Sequence, residues 1–214
     1  MKDRLKLTFM RWIFGALFLG VAWQPVWAFT LEDLDKQLRE TPVVRGEFVQ
    51  KKYLRGLEEP LRATGTFALA TGQGLLWNLK TPVTRSLRIT PKGIAYYVAQ
   101  VEGSSENARW VIDSTRGQQG RAFRLFLSVL NGNVTELKRQ FQLSLAGTEE
   151  EWLLTLTPHS ALLKQIFSRI EVTGGAEVRG IELYETQGDI SVIEFREVVP
   201  DVKLTEAELR AFEK

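Results

Sequence analysis

From Val44 almost to the end of the chain, apolar residues recur at every second position, a period that commits most of the sequence to half-buried strands. The cleanest run sets Leu61, Ala63, Gly65, Phe67 and Leu69 on one face and Arg62, Thr64 and Thr66 on the other. Before it, residues 45–50 open a strand running toward Tyr53. After it come Leu75, Trp77 and Leu79 on a shared face, then Leu87 and Ile89, then residues 94–101. Turn chemistry separates these runs at Thr71-Gly72-Gln73-Gly74, Thr81-Pro82 and Thr90-Pro91-Lys92-Gly93. Strands resume with Phe141, Leu143 and Leu145, then Trp152, Leu154 and Leu156, and further candidates cover 166–172, 179–185 and 190–198. Nine or ten strands joined by short connections read as an antiparallel meander. A twisted antiparallel sheet of that size curls, because a flat one leaves its edges open and its apolar face wet. The expected fold is mainly β with α, an open antiparallel half-barrel covered by short helices.

Helical period is confined to three places. Thr30 caps a helix carrying Leu31, Leu34 and Leu38, which Pro42 stops. Residues 103–120 are polar and turn-rich, but beyond them Phe123, Phe126, Leu127 and Leu130 lie on one helical face with Arg121, Arg124 and Ser128 turned away. Asn131-Gly132 closes that helix. Thr205, three residues before Glu208, sets up a capping box for a short last helix through Leu209 and Phe212. So few helices cannot fill the concave side of the sheet, and the space they leave is expected to be an apolar cavity. The middle helix then either plugs the sheet or lies over the cavity as a lid.

There is no cysteine among the 214 residues, so no disulfide can staple the fold and no thiol is present to take a lipid anchor. Residues 1–28 read as a secretory signal peptide: Lys2, Arg4, Lys6 and Arg11, an apolar run from Trp12 to Trp23, and small residues at Val26 and Ala28 before cleavage. That run falls short of the roughly 20 residues a spanning helix needs. The remaining residues, 29–214, suit a single domain. The chain carries 28 basic and 26 acidic residues; the leader holds four of the former and one of the latter, leaving 24 against 25. A net charge near zero removes the electrostatic case for nucleic acid. One histidine, His159, with no cysteine cannot build a common nitrogen and sulfur metal site, and Glu149-Glu150-Glu151 lacks the spaced oxygens of a hard-cation loop. Neither metal nor cofactor is expected.

Catalytic signatures are equally sparse. The sequence has no nucleophile elbow, no cysteine nucleophile, no phosphate-binding glycine loop and no zinc-protease pair. His159 follows Pro158 between two strands and reads as a solvated turn residue. A carboxylate pair of the kind that cleaves polysaccharides gains no support from spacing. The expectation is a protein that is not an enzyme. What the chain does carry is a spread of large apolar side chains, Phe48, Phe67, Trp77, Tyr96, Phe123 and Phe126 among them, which serve a core or a hydrophobic ligand.

Phe48-Val49-Gln50-Lys51, then Ala63-Thr64-Gly65-Thr66-Phe67-Ala68-Leu69, then Leu75-Leu76-Trp77 resembles the periplasmic outer-membrane lipoprotein carriers, the LolA-like family. Pro91-Lys92-Gly93 before Tyr96-Tyr97, and Leu156-Thr157-Pro158, resemble two further turns of that family in the same order. The resemblance covers nearly all of residues 29–214 and implies an eleven-stranded half-barrel closed by a helical lid. It also implies a periplasmic, monomeric carrier that takes the acyl chains of lipoproteins, or a related lipid, from an inner-membrane donor to an outer-membrane receptor. The hydrophobic site it implies consists of Phe48, Phe67, Trp77, Leu87, Ile89 and Tyr96 on the sheet, with Phe123, Phe126, Leu127 and Leu130 on the lid. Family members usually carry an Arg-Pro pair shortly before the tryptophan, and that arginine latches the lid. Here the stretch is Thr71-Gly72-Gln73-Gly74-Leu75-Leu76-Trp77, and a threonine cannot supply a guanidinium's five donors. The departure marks a divergent member, and the short stretch after Pro200 leaves no room for an added terminal strand. A competing reading is a periplasmic sensor or scaffold that binds a partner protein with the same half-barrel.

Overall fold

The computed structural model describes residues 28–98, 109–113 and 125–213. Its strands are β1 (Val43–Tyr53), β2 (Leu61–Ala70), β3 (Gly74–Thr81), β4 (Arg85–Thr90), β5 (Gly93–Val98), β6 (Arg109–Asp113), β7 (Phe141–Gly147), β8 (Trp152–Pro158), β9 (Phe167–Gly174), β10 (Val178–Glu185) and β11 (Ile190–Asp201). All eleven join in one antiparallel sheet, ordered β6-β5-β4-β3-β2-β1-β11-β10-β9-β8-β7. The signal peptide read over residues 1–28 lies outside the described residues except for Ala28, and so does Phe123.

That order is two meanders joined through the first and last strands. β1 pairs with β11 from Val43 opposite Asp201 to Tyr53 opposite Ile190, so residues more than 130 positions apart meet at the centre of the sheet. The register slips between Arg45 and Glu47, and Glu197 nearby in β11 takes a φ of 49°. A bulge at this central seam bends the strands and deepens the curl. One face of the resulting half-barrel buries Phe48, Phe67, Trp77, Ile89, Ile181 and Phe195 in a single core cluster.

The helices are α1 (Leu31–Glu40), α2 (residues 125–130), α3 (Val134–Lys138), α4 (Ala161–Lys164) and α5 (Glu206–Glu213). Thr30 and Asp33 form a capping box on α1, whose Leu34 and Leu38 are buried. From its other side α1 reaches both the helices and the far meander: Asp35 accepts from the Val134 amide at 3.1 Å, and the Gln37 amide donates to the Gly175 carbonyl. Gly132, at φ +60°, turns the chain between α2 and α3, and a Cβ there would lie 2.8 Å from the Leu38 Cβ. The last helix lies against β3, over a small cluster of Val43, Ala70 and Leu204 with Phe212 packed on it.

Two arginines hold α5 in place. Arg45 grips Glu208 through Nε at 2.8 Å and Nη2 at 2.6 Å and reaches Asp201 through Nη1 at 2.7 Å. At the far end Arg88, only 7% exposed, donates to the Ala211 carbonyl at 2.6 Å with its guanidinium 5.1 Å from the Trp110 ring. Its burial lowers its affinity for the proton, and the negative end of the helix together with the ring's π face offsets that.

Three readings of the sequence are corrected. Residues 103–120 contain a strand, β6, which the polar surroundings concealed; its five residues include Ile112, which is 75% exposed at the sheet edge. Helices α3 and α4 were not expected: each is about one turn long and buries only Val134 with Leu137, or Leu163, too few positions for a period to register. The middle helix buries Leu125 and Val129 as well as Leu127 and Leu130, whereas Phe126 is only partly buried. Helix α2 is apolar on several sides, as a helix packed within a core must be, not a surface helix with one apolar stripe.

The Arg45 pair gives a pH test. The paired guanidinium, helped by the Thr205 amide, lowers the Glu208 carboxyl to about 2 against an ordinary 4.5. A depressed folded-state value means the stabilisation is complete above the unfolded range and is lost as pH falls toward 2. Glu208→Gln should therefore cost about 1–2 kcal/mol at neutral pH by urea unfolding, and the difference from wild type should shrink on acidification below about pH 4.

Candidate functional site

The concave face is built around one indole. Phe48 from β1 lies flat on Trp77 from β3, with ring centroids 3.7 Å apart and planes 19° from parallel. Phe195 from β11 meets the same indole edge-on at 6.2 Å and Phe67 at 5.0 Å. From the helical side Phe126 of α2 approaches Trp77 edge-on at 5.6 Å. The perpendicular contacts are the geometry favoured by the ring quadrupoles, whereas the flat Phe48–Trp77 stack brings two faces together under burial.

Gly65 makes the flat stack possible. It sits opposite Phe48 in the β1–β2 register, and a Cβ at that position would lie 2.6 Å from the Phe48 Cζ. The ring therefore lies across β2 and reaches a tryptophan two strands away.

Of the residues expected to form the site, Phe48, Phe67, Trp77, Leu87 and Ile89 are buried in one cluster with Leu127 and Leu130, and Tyr96 and Phe126 pack partly buried against it. Tyr96 sits opposite Leu87, which itself sits opposite Trp77, and the Arg85 guanidinium covers the Tyr96 ring at 4.1 Å. Phe195 and Leu69 were not among the expected lining residues. The alternation of Ser191, Ile193 and Phe195 was the available signal for the first, and the run containing Phe67 for the second.

Among the described residues a gap of about 10 Å³ remains between Val44, Phe67, Leu69, Leu130, Glu177, Val178 and Phe195, and a larger space of about 360 Å³ lies beside α2, lined by Pro91, Leu125, Leu127 and Ser128 among others. Small-molecule pockets run to roughly 300–1,000 Å³. Leu130 of α2 closes on the first of these spaces, and Leu125 and Leu127 border the second.

Chemistry at this face is almost absent. The described residues contain no group of three or more His, Cys, Asp or Glu placed to hold a metal ion. His159 is exposed, its Nε2 2.9 Å from the Arg139 carbonyl. The exception is Glu177, in the turn between β9 and β10, whose carboxylate accepts from the Thr41 hydroxyl at 2.8 Å and lines the residual cavity. Burial is the main influence on it and raises its pKa above the ordinary 4.5.

The family model for the outer membrane lipoprotein carrier protein LolA matches residues 39–209. The chain belongs to that family. No curated protein matches it. Among solved structures, the complex of MucA and MucB from Pseudomonas aeruginosa aligns at 13% identity with a TM-score of 0.46, covering 84% of this chain and 58% of the matched one. This chain thus spans well under two thirds of that relative. A LolA superfamily protein of Nitrosomonas europaea aligns at 9% identity and TM-score 0.43, covering 87% and 99%. A DUF1329 family protein of Desulfovibrio piger aligns at 13% and 0.46, covering 85% and 96%.

In this LolA-family chain, Thr71 stands where the resemblance places a latch arginine, and it bonds elsewhere. Its amide donates to the Pro42 carbonyl and its hydroxyl to the Thr41 carbonyl, both at 2.9 Å, while Thr41 in turn donates to Glu177. A relay of short side chains ties β2 to the end of α1 and on to the far meander.

Gly65→Ala should lower stability by about 2–3 kcal/mol in urea unfolding, because the added methyl meets both the Phe48 ring and the Asn78 backbone carbonyl. Glu177→Gln should act the opposite way. A carboxyl with a raised folded-state pKa contributes most below its unfolded range, and that contribution is lost as pH rises through the folded value. The amide keeps an acceptor for Thr41 without the charge, so the variant's thermal midpoint should exceed wild type at neutral pH and converge with it below about pH 4.

Proposed function

We propose that the chain is a periplasmic carrier, not an enzyme, that shelters the acyl chains of a lipoprotein or related lipid beneath α2 during transfer toward the outer membrane. Membership of the LolA family supports this reading. The observation that carries it is the contact between Phe126 and Trp77, by which a short helix closes an apolar hollow with side chains that an alkyl chain can replace. The need is physical: at ~0.8 kcal/mol per methylene, a 16-carbon chain held in water costs roughly 12 kcal/mol. Little room remains between Leu130, Phe67 and Phe195, so loading there requires α2 to lift and the tail to occupy the volume vacated by Phe126, Leu127 and Leu130. The leader delivers the protein to the periplasm, where it works as a monomer between an inner-membrane donor and an outer-membrane receptor, without cofactor or metal. Thr71 ties the end of β2 to the residues after α1, and closure in this reading rests on the apolar contacts of α2.

Phe126→Glu places a charge on the side of α2 that faces Trp77. Uptake of a fluorescent fatty acyl probe should fall by about tenfold or more while the circular dichroism spectrum is retained. Unchanged uptake would remove α2 from the mechanism. Native mass spectrometry of protein taken from its own periplasm should find copurified acyl species, and their absence from gently handled samples would overturn carriage.

A further inference from the structure

The residual cavity is lined by seven residues, of which six are apolar and one, Glu177, is ionisable. It lies at the α1 end of the hollow, and Leu130 of α2 lines the same space. The Glu177 carboxyl accepts from the Thr41 hydroxyl, and burial opposes its charge. Gln37 is not part of that lining but bonds the turn that carries Glu177. Its amide nitrogen donates to the carbonyls of Gly175 and Glu149, which leaves its Oε1 buried without a partner. The cavity lining therefore presents the Glu177 carboxylate as an acceptor, and a ligand placed there is asked for donors.

We propose that this cavity is the subsite for the polar end of the acyl ligand, and that Glu177 selects ends that donate hydrogen bonds or carry positive charge over carboxylates and phosphates. The inference rests on the carrier reading and narrows its cargo. A hydroxyl, amide or ammonium end finds a charge-assisted acceptor. A carboxylate end puts two acids in one poorly solvated place, where each opposes the ionisation of the other. The tail, entering as α2 lifts, runs along Phe67 and Phe195 and leaves its head beside the carboxyl.

The test uses dodecanol, dodecylammonium and dodecanoate, three ligands of one tail and different heads, titrated calorimetrically into the processed protein at neutral pH below their micelle thresholds. Wild type should bind dodecanoate about tenfold or more weakly than the other two. Glu177→Gln should close that gap chiefly by tightening dodecanoate, and Glu177→Asp, which keeps the charge, should keep the rank order. Equal affinities in wild type, or a ratio unchanged in Glu177→Gln, would overturn the subsite and leave the carrier reading intact. Failure of all three to bind wild type would overturn both.

Discussion

The Phe48 ring resting on Trp77 is the contact on which the hollow depends. β1 and β3 are not neighbours; β2 lies between them, and two strand spacings amount to roughly 9–10 Å. Rings anchored that far apart meet at 3.7 Å only because β2 has a glycine, Gly65, beneath Phe48. The indole then receives Phe195 from the other meander and Phe126 from α2, so one side chain joins both halves of the sheet and its cover. Each aromatic pair adds about 0.5–1.5 kcal/mol beyond the area it buries, and these pairs share a ring, so their worth is not additive.

Much of this fold is legible in the sequence because a period of two is a local property. Leu61 to Leu69, or Trp152 to Leu156, declares a buried face without knowledge of its partner, and the capping pairs Thr30 with Asp33 and Thr205 with Glu208 start helices within a few residues. Neighbour relations are less legible. Nothing in the alternation says that β1 lies beside β11, a pairing that makes two meanders into one curved sheet. Short edge elements such as β6 escape because a handful of residues cannot establish a period. Glu177 escapes for a different reason: its role depends on Thr41, a partner 136 positions away, and on a cavity that exists only once both meanders and α2 are in place.

The two faces of the sheet hold their helices by different means. On one, Arg45 and Arg88 fix α5 at both ends through charge-assisted bonds with partly or largely buried side chains. On the other, α2 meets the sheet through Phe126, Leu127 and Leu130 against aromatic and aliphatic neighbours. Directional bonds define one position and are lost abruptly when it is left. Apolar contact is indifferent to the identity of the surface that replaces it, since burial scales with area and not with orientation. A helix that must give way to a ligand is better held in the second manner.

That indifference bears on how a hollow partly filled by its own helix could serve a carrier. Lifting three large apolar side chains of α2 into water costs roughly 5–9 kcal/mol at about 1.5–3 each, whereas withdrawing a 16-carbon tail from water returns roughly 12. The exchange leaves a surplus of several kcal/mol at most, before the cost of ordering the tail is subtracted. An empty, preformed cavity would instead deliver nearly the whole transfer energy as affinity, and a receptor could then hardly recover the cargo. In a carrier of the kind proposed, partial filling by α2 would keep lipid binding favourable while leaving release within a receptor's reach.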